Sequence, residues 1–372
     1  MPLIFFSQMF VSVGSLYIPI SVLTGLLFLL ISHKKCIQEI KALKYSIKLF
    51  LFSVLGLSFI AFLISVFQSI ITSTTFNPAF CQYVLGIVGL FPGLILLKNS
   101  IDLKIIIFGA NVGMLVGLAI TNIFGNFSNI KYSSDAIFPT LPGFIQPYQY
   151  YQYSGIIAIA LIACSAFFLK FDIKWKIVYF LFFTLYAILI RSAHSEFFQI
   201  GLSLIAFFLI FKNVKKAVII FIPICAALVC TFQFSVQGLV SRFALWDSLI
   251  EEIICLENLF GRWFPSNETR LWCHNQWLDF IYRFGIIFGG FLLLMFINVA
   301  LFLFKLAIRT KNWIRQEAAC CAFGSFIIFV LASAVTVPLG QPNVALTAYF
   351  FLGLAIKSNL LFNKTLKNRR ES

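Results

Sequence analysis

Charged residues are scarce in this chain: Asp, Glu, Lys and Arg make up 11% of its 372 residues, against roughly 25% in a soluble domain. Two nucleotide-binding signatures are missing as well, since neither Gly-x-x-x-x-Gly-Lys-Ser/Thr nor Gly-x-Gly-x-x-Gly occurs. Their absence speaks against nucleotide-driven transport by this chain and against dinucleotide redox chemistry. There is no Asp-x-Asp, and the three histidines are not paired at metal-binding spacing. We therefore expect no metal ion and no cofactor.

The chain contains long apolar segments that have no charged residues. Hydrophobic residues make up 61% of the chain, and residues 1–32, 49–97, 217–241 and 318–356 contain no Asp, Glu, Lys or Arg. Each run exceeds the roughly 20 residues that cross a bilayer as a helix. The sequence predicts an all-α, polytopic transmembrane bundle that forms one membrane domain over residues 1–372. Its eleven predicted spans are residues 14–32, 49–71, 79–97, 105–124, 154–169, 175–191, 194–211, 217–233, 284–304, 318–337 and 343–362. Met1–Val13 is too short to span alone and makes twelve if it enters the membrane.

The net charge of +15 is distributed by side of the membrane. Of the 28 Lys and Arg residues, 22 lie in every second segment between spans, including Lys34–Lys48 and the tail after Lys357. Cytoplasmic loops carry such an excess of basic residues. The pattern predicts a cytoplasmic C-terminus and an outer N-terminus. It explains the basic excess without a nucleic-acid partner.

Two outer segments are longer than a turn requires. Residues 125–153 contain three prolines and the run Tyr148-Gln-Tyr-Tyr-Gln-Tyr153, which makes Tyr148 a candidate for substrate contact. Residues 234–283 form the one large periplasmic loop, with predicted short helices around 238–254 and 273–283. Long loops often carry function, so the chemistry is expected on the outer side. Cys255 and Cys273 lie in this loop, and their spacing leaves open whether they form a disulfide.

Polar residues gather where the sixth and seventh predicted spans meet. Arg191, His194 and Ser195 share one face if this stretch is helical, and ionisable groups at the edge of apolar helices are often functional. An Arg191–Glu196 ion pair that caps a tight turn is the simpler explanation.

The large loop contains the densest set of candidate residues. His274 is a general base suited to neutral pH, and Asn275 beside it either orients the ring or binds substrate. Arginines grip an anionic group such as a diphosphate through forked donors; the candidates are Arg242, Arg262 and Arg270. Trp246 is a candidate for stacking on a sugar ring, although an interfacial aromatic belt also explains the loop tryptophans. A structural His274 bonded to a loop carbonyl is the alternative to the base.

The order of these residues resembles the C-terminal region of the O-antigen polymerase and O-antigen ligase superfamily. The pattern runs Arg242-x-x-x-Trp246, Leu259-Phe-Gly261, His274-Asn-x-x-Leu-Asp279 and Gly285-Ile-x-x-Gly289. Arg191-Ser192 and Gly340-Gln-Pro-Asn-Val344 are similar to further elements of that superfamily, so the resemblance covers about residues 180–360.

The resemblance implies a GT-C-like, metal-independent glycosyltransferase at the outer face of the bacterial inner membrane. The donor would be an undecaprenyl-diphosphate-linked oligosaccharide, with Arg191 and Arg242 at the diphosphate and His274 taking a proton from the acceptor glycan. Arg262, Arg270, Asn275, Trp246, Tyr148 and His194 would contact substrate. A polymerase that joins repeat units is favoured over a ligase that passes the glycan to lipid A-core, with a lipid-linked glycan transporter as a third possibility. If the protein is a polymerase, a chain-length regulator is a further expected partner. The sugar and the linkage are not readable from the chain.

Overall fold

The computed structural model describes the protein over residues 9–13, 16–73, 78–98, 100–124, 145–147, 232–255, 258–264, 273–308, 313–334, 337–340 and 342–371. This part of the chain is mostly helical, as the sequence predicts. Apart from residues 232 and 233, the four spans predicted between residues 154 and 233 lie outside it, so the count of eleven stays a prediction.

The N-terminal segment forms a small antiparallel sheet followed by a bent pair of helices. Strand β1 is Met9–Val13 and strand β2 is Leu16–Pro19. Helix α1, Ile20–Ile31, meets α2, His33–Ala42, at an angle of 92°. Within the predicted span 14–32, residues 16–19 are therefore strand and not helix, and the helix of this segment has 12 residues.

Helix α3, Tyr45–Thr72, matches the predicted second span and has two unlike faces. Phe50, Val54 and Ala61 are buried, whereas Phe59 and Phe67 are 60% and 61% exposed. A stripe of exposed phenylalanine would be unfavourable in water and is expected where a helix faces lipid tails.

The predicted span 79–97 is two short helices. A 3-10 turn at Pro78–Phe80 leads into α4, Cys81–Ile87, and α5 follows at Leu90–Leu96. Pro92 has no N–H to donate to the carbonyl four residues earlier, which interrupts a helix at this point. The next helix, α6, runs unbroken over Ser100–Phe124 and contains the predicted span 105–124.

The remaining helices form the C-terminal half. Strand β3, Ile145–Pro147, pairs with β1, and the sheet order is β2-β1-β3. Helix α7 is Phe232–Ile254, α8 is Gln276–Ile308 and α9 is Trp313–Phe326. A π-helical turn and three 3-10 residues continue α9 to Ala334, another 3-10 turn covers Pro338–Gly340, and α10 runs from Pro342 to Glu371.

Helix α8 is bent sharply at its tenth residue. Gly285 has φ 78° and ψ 171°, a conformation that side chains strongly disfavour. We call residues 276–284 the short limb and residues 286–308 the long limb. The short limb turns back on the long limb. Gly289 of the long limb lies so close to Phe280 of the short limb that a Cβ at Gly289 would be 2.2 Å from the Phe280 carbonyl oxygen.

The core is centred on α10. Residues 344–356 of this helix are buried, and α4, α5 and α9 pack around it. Gly86, Gly89 and Gly93 bring the backbone of α4–α5 against Ala345, Leu346 and Phe350. Helices in a bilayer associate through such small residues, which allow close van der Waals contact.

Three helices of the described residues are long and apolar enough to cross a membrane: Tyr45–Thr72, Gln276–Ile308 and Val344–Asn363. The bent pair α1–α2 makes four if it counts as one span. These helices support membrane association; they do not fix the direction in which the chain crosses.

Segments that the charge pattern assigns to the same side of the membrane also contact each other. Lys357 forms an ion pair with Glu39, and the ammonium of Lys44 lies 4.8 Å from the ring centre of Phe302. All of these residues lie in or beside predicted cytoplasmic segments. At the opposite end, Tyr83 of α4 contacts Asp279 of the outer loop.

Adjacent glycines in α8 provide a test of the fold-back. Gly289→Ala should lower the free energy of unfolding by about 1–3 kcal/mol, because its methyl group would overlap the Phe280 carbonyl. Nothing lies within 4 Å of a Cβ on Gly290. Gly290→Ala should therefore be neutral or stabilising by up to ~1 kcal/mol. Thermal unfolding of the two purified variants in the same detergent measures this, and equal stability would contradict the bend.

Candidate active site

Helix α7 presents one face to the short limb of α8. Trp246, Leu249 and Ile253 recur along this face and pack against Cys273 and Tyr282 in a second small core. Arg242 begins the same series, four residues before Trp246. The helical repeat thus brings the Arg242 guanidinium to the segment that contains His274.

The short limb ends in contacts with residues 258–264. A helix leaves its last carbonyls without internal partners. Here the Asn258 amide donates to the carbonyl of Ile281 at 3.4 Å, and the backbone N–H groups of Arg262 and Trp263 donate to the next two carbonyls at 3.4 and 2.9 Å. The loop backbone therefore caps the limb.

This capping depends on two glycines. Gly261 has φ 87° and Gly285 has φ 78°, and a Cβ on either would lie within 2.4 Å of the other's backbone nitrogen. Any side chain at these positions would separate the loop from the limb.

Asn275 begins the limb as an N-cap. Its side-chain oxygen accepts the N–H groups of Trp277 and Leu278 at 3.0 and 3.1 Å. Such a cap is typically worth ~1 kcal/mol. The side chain is buried and its oxygen is engaged, so the structure gives Asn275 a role in setting the start of the helix; a substrate contact there stays a prediction.

His274 directly precedes this cap and is partly open to solvent. Its φ is 52°, a left-handed conformation that is uncommon for a residue with a side chain. Partial burial of the ring lowers the pKa of His274, and the nearby positive charge of Arg242 lowers it further. A lowered pKa favours the neutral imidazole, which is the form that a general base requires.

A buried polar cluster lies behind His274, where α4 meets the short limb. The hydroxyl of Tyr83 donates to Oδ2 of Asp279, and Nε of Arg283 lies 3.7 Å from Oδ1. The side-chain amide of Gln276 donates to the Tyr83 hydroxyl at 3.2 Å. None of these four residues is more than 1% exposed.

The 3-10 turn before α10 joins the same cluster. The backbone N–H of Leu339 donates to Oε1 of Gln276 at 2.9 Å. The guanidinium of Arg283 lies 4.7 Å from the ring centre of Phe264, whose own ring contacts Tyr83. Segments from three distant parts of the sequence therefore meet at one point behind the loop.

Two predicted substrate contacts have protein partners. Arg262 forms an exposed ion pair with Glu252 at 3.0 Å and lies 5.1 Å from the ring centre of Tyr282. The indole N–H of Trp246 donates to the carbonyl of Cys273 at 3.1 Å. Neither contact excludes substrate, since Arg262 is exposed and Trp246 half-buried.

Of the predicted catalytic residues, the structure brings Arg242 and His274 together. Arg191, His194, Tyr148 and Arg270 lie outside the described residues, and their roles stay predictions. Cys255 and Cys273 are not joined by a disulfide in this structure, which answers the question that their spacing left open. Within the described ranges, no group of three His, Cys, Asp or Glu side chains converges as metal ligands would.

Sequence reasoning did not select Tyr83, Gln276, Asp279 or Arg283 as site residues. Asp279 and Arg283 could have been selected from the sequence. Two opposite charges four residues apart at the start of an apolar span are energetically unfavourable there and often indicate a functional role. Tyr83 and Gln276 could not have been selected in this way, because the hydrogen bond between them joins positions 193 residues apart in the sequence.

Comparison with known protein families finds no match for this chain, and no curated protein is significantly similar to it.

The effect of Arg242 on His274 is directly measurable. Arg242→Gln removes the positive charge, so the pKa of His274 should rise toward 6.5, its ordinary value. With three histidines in the chain, 13C-labelled imidazole signals can be titrated and assigned with His274→Gln. Arg262→Gln is the matched control, because Arg262 is paired with Glu252 and should leave the titration unchanged. An unchanged titration in Arg242→Gln would show that the two groups do not interact.

Proposed function

We propose that this protein is a metal-independent glycosyltransferase at the outer face of the bacterial inner membrane, and that it polymerises undecaprenyl-diphosphate-linked repeat units of O-antigen or a related polysaccharide. The observation that carries the proposal is the pairing of His274 with Arg242 at the edge of a membrane span. A neutral base and a fixed cation side by side match a reaction that removes a proton while releasing an anion.

In this reaction the acceptor sugar hydroxyl attacks the anomeric carbon of the donor. His274 takes the hydroxyl proton as the new carbon–oxygen bond forms. The bond between the anomeric carbon and the diphosphate breaks, and its electron pair stays on the departing lipid diphosphate. Arg242, together with Arg191 in the sequence-based prediction, stabilises that negative charge.

The membrane position of the pair suits such a donor. Gln276, two residues after His274, begins a helix that the described structure identifies as long and apolar enough to cross a bilayer. A lipid diphosphate lies at the membrane surface with its tail among the helices. The exposed His274 and the exposed lipid-facing residues of α8 are thus close to where donor head and tail would lie.

A reconstituted reaction tests the proposal. Purified protein in proteoliposomes would receive a lipid-linked repeat unit as donor and acceptor, and chain extension would be followed by gel electrophoresis. His274→Gln should lower the rate by about a hundredfold or more, because glutamine cannot accept the proton. His33→Gln is the matched control: His33 is exposed at the predicted cytoplasmic end, where its ring contacts the Leu30 carbonyl at 3.2 Å.

The pH dependence adds a second criterion. Because the neutral form of His274 is active and its pKa is lowered, kcat/KM should be level above neutral pH. It should fall only below pH ~6.5. Near-normal extension by His274→Gln would rule out general-base catalysis here. Transfer to lipid A-core without extension would indicate the ligase, and movement of intact donor across the bilayer without bond formation would indicate a transporter.

The orientation has its own test. In a variant without the nine native cysteines, Glu268→Cys should react with an impermeant thiol reagent in intact cells. Ala42→Cys, at an exposed position of α2, should react only after the membrane is permeabilised. This follows from the excess of basic residues around Ala42. The opposite labelling pattern would reverse the topology and place the site in the cytoplasm.

A further inference from the structure

The backbone that carries His274 is held from two opposite sides. The N–H of Cys273 donates to Oδ1 of Asp279 at 3.3 Å. The carbonyl of Cys273 accepts the indole N–H of Trp246 at 3.1 Å. Cys273 is itself fully buried. Both peptide groups of the residue before His274 are therefore fixed by side chains from other parts of the fold.

Asp279 is in turn fixed by residues behind it. Its second carboxylate oxygen accepts the hydroxyl proton of Tyr83, which lies in α4 and is 196 residues away in sequence. Arg283, one helical turn later, supplies the counter-charge. A carboxylate whose two oxygens are engaged by different elements has one available orientation. That orientation determines where the Cys273 N–H must lie.

We propose that Asp279, held by Tyr83, is a positioning residue that fixes the left-handed backbone at His274 and thereby orients the imidazole for proton abstraction. This inference rests on the proposed function of His274 and extends it to a buried pair that touches neither substrate nor the reacting atoms.

The free-energy cost of burying the Asp279–Arg283 pair suggests that the pair has a functional role. A buried Asp–Arg pair is often no more stabilising than apolar residues of the same volume. Here it lies in the short limb of a helix whose other buried residues are mostly apolar. The left-handed His274 is a second unfavourable feature at the same point. Strained backbone held by its surroundings is characteristic of functional sites.

The charged and titratable groups of the described residues around His274 come from three elements. Arg242 faces it from α7, Asp279 and Arg283 lie in the short limb, and Tyr83 approaches from α4. Only Arg242 acts on the ring through its charge. Asp279 and Tyr83 would act through the backbone, by keeping the ring in its partly buried position.

Tyr83→Phe is the primary test, because it removes one oxygen and keeps the ring. With the Asp279 carboxylate free to rotate, the His274 backbone would relax and its ring would become more hydrated. We expect its pKa, followed by 13C NMR, to rise toward its ordinary value of 6.5. The kcat should fall about tenfold or more while KM changes less than about twofold.

Tyr349→Phe is the matched control. Tyr349 is equally buried, and within the described residues its hydroxyl makes no hydrogen bond. Its substitution removes the same atom from the core and should leave both the titration of His274 and kcat unchanged. If Tyr83→Phe behaves like Tyr349→Phe in both measurements, the positioning role is wrong.

A second variant covers the case in which Tyr83→Phe does not accumulate. The double substitution Asp279→Leu with Arg283→Met removes both buried charges together, an exchange that folded proteins generally tolerate. It should fold and insert, and still show the shifted His274 titration and the loss of kcat. A folded double variant with wild-type titration and kcat would overturn the proposal.

The two measurements separate this inference from the proposed function. A shifted His274 titration in Tyr83→Phe supports positioning even if no glycosidic bond formation is found, in which case the proposed reaction fails and the structural link stands. Activity that requires His274 but is unaffected by Tyr83→Phe supports the reaction and rejects the link.

Discussion

The contact between the backbones of Gly261 and Gly285 is the constraint on which the site depends. Gly285 ends the short limb and turns it back along the long limb of α8, and Gly261 lets the loop approach close enough to cap the limb. Because the limb is fixed at both ends, Asp279 and Arg283 point at α4 and His274 lies at its start. The close approach of the two backbones leaves no room for a Cβ at either position, and the positive φ at both favours glycine as well.

A second constraint is the apolar interior of the bilayer. The two ion pairs described here lie at opposite ends of the apolar helices and differ in burial. Toward the predicted cytoplasmic side, Lys357 and Glu39 pair in a partly exposed setting where water still screens them. Toward the predicted outer side, Asp279 and Arg283 pair in a fully buried setting. A surface pair contributes little either way, whereas removing one partner of a buried pair costs ~3–5 kcal/mol. The Asp279–Arg283 pair is therefore expected to tolerate the loss of one partner less well than the Lys357–Glu39 pair does.

Hydropathy predicted the helices that are continuous in sequence, such as α3, α6 and α10, and the loop helices near 238–254 and 273–283. It failed where backbone chemistry overrides an apolar pattern: residues 79–97 are broken ahead of Pro92, and residues 16–19 are strand. The site divides in the same way. His274 and Arg242 were identifiable from local composition. Tyr83 was not, because its pairing with Asp279 joins distant segments, and one sequence alone contains no signal for such a contact.

The position of Arg242 beside His274 has two opposing effects on a general base, and binding of the proposed donor would reduce the unfavourable one. A neighbouring cation keeps the imidazole neutral, and it also makes the imidazole a weaker base, because the protonated ring would repel the guanidinium. The donor diphosphate changes this balance. Its negative charge, bound by Arg242, would offset the guanidinium and strengthen His274 as a base only when donor is present. Proton removal from the acceptor would then be most favourable in the complex that holds both substrates, and free enzyme would be protected from unproductive protonation.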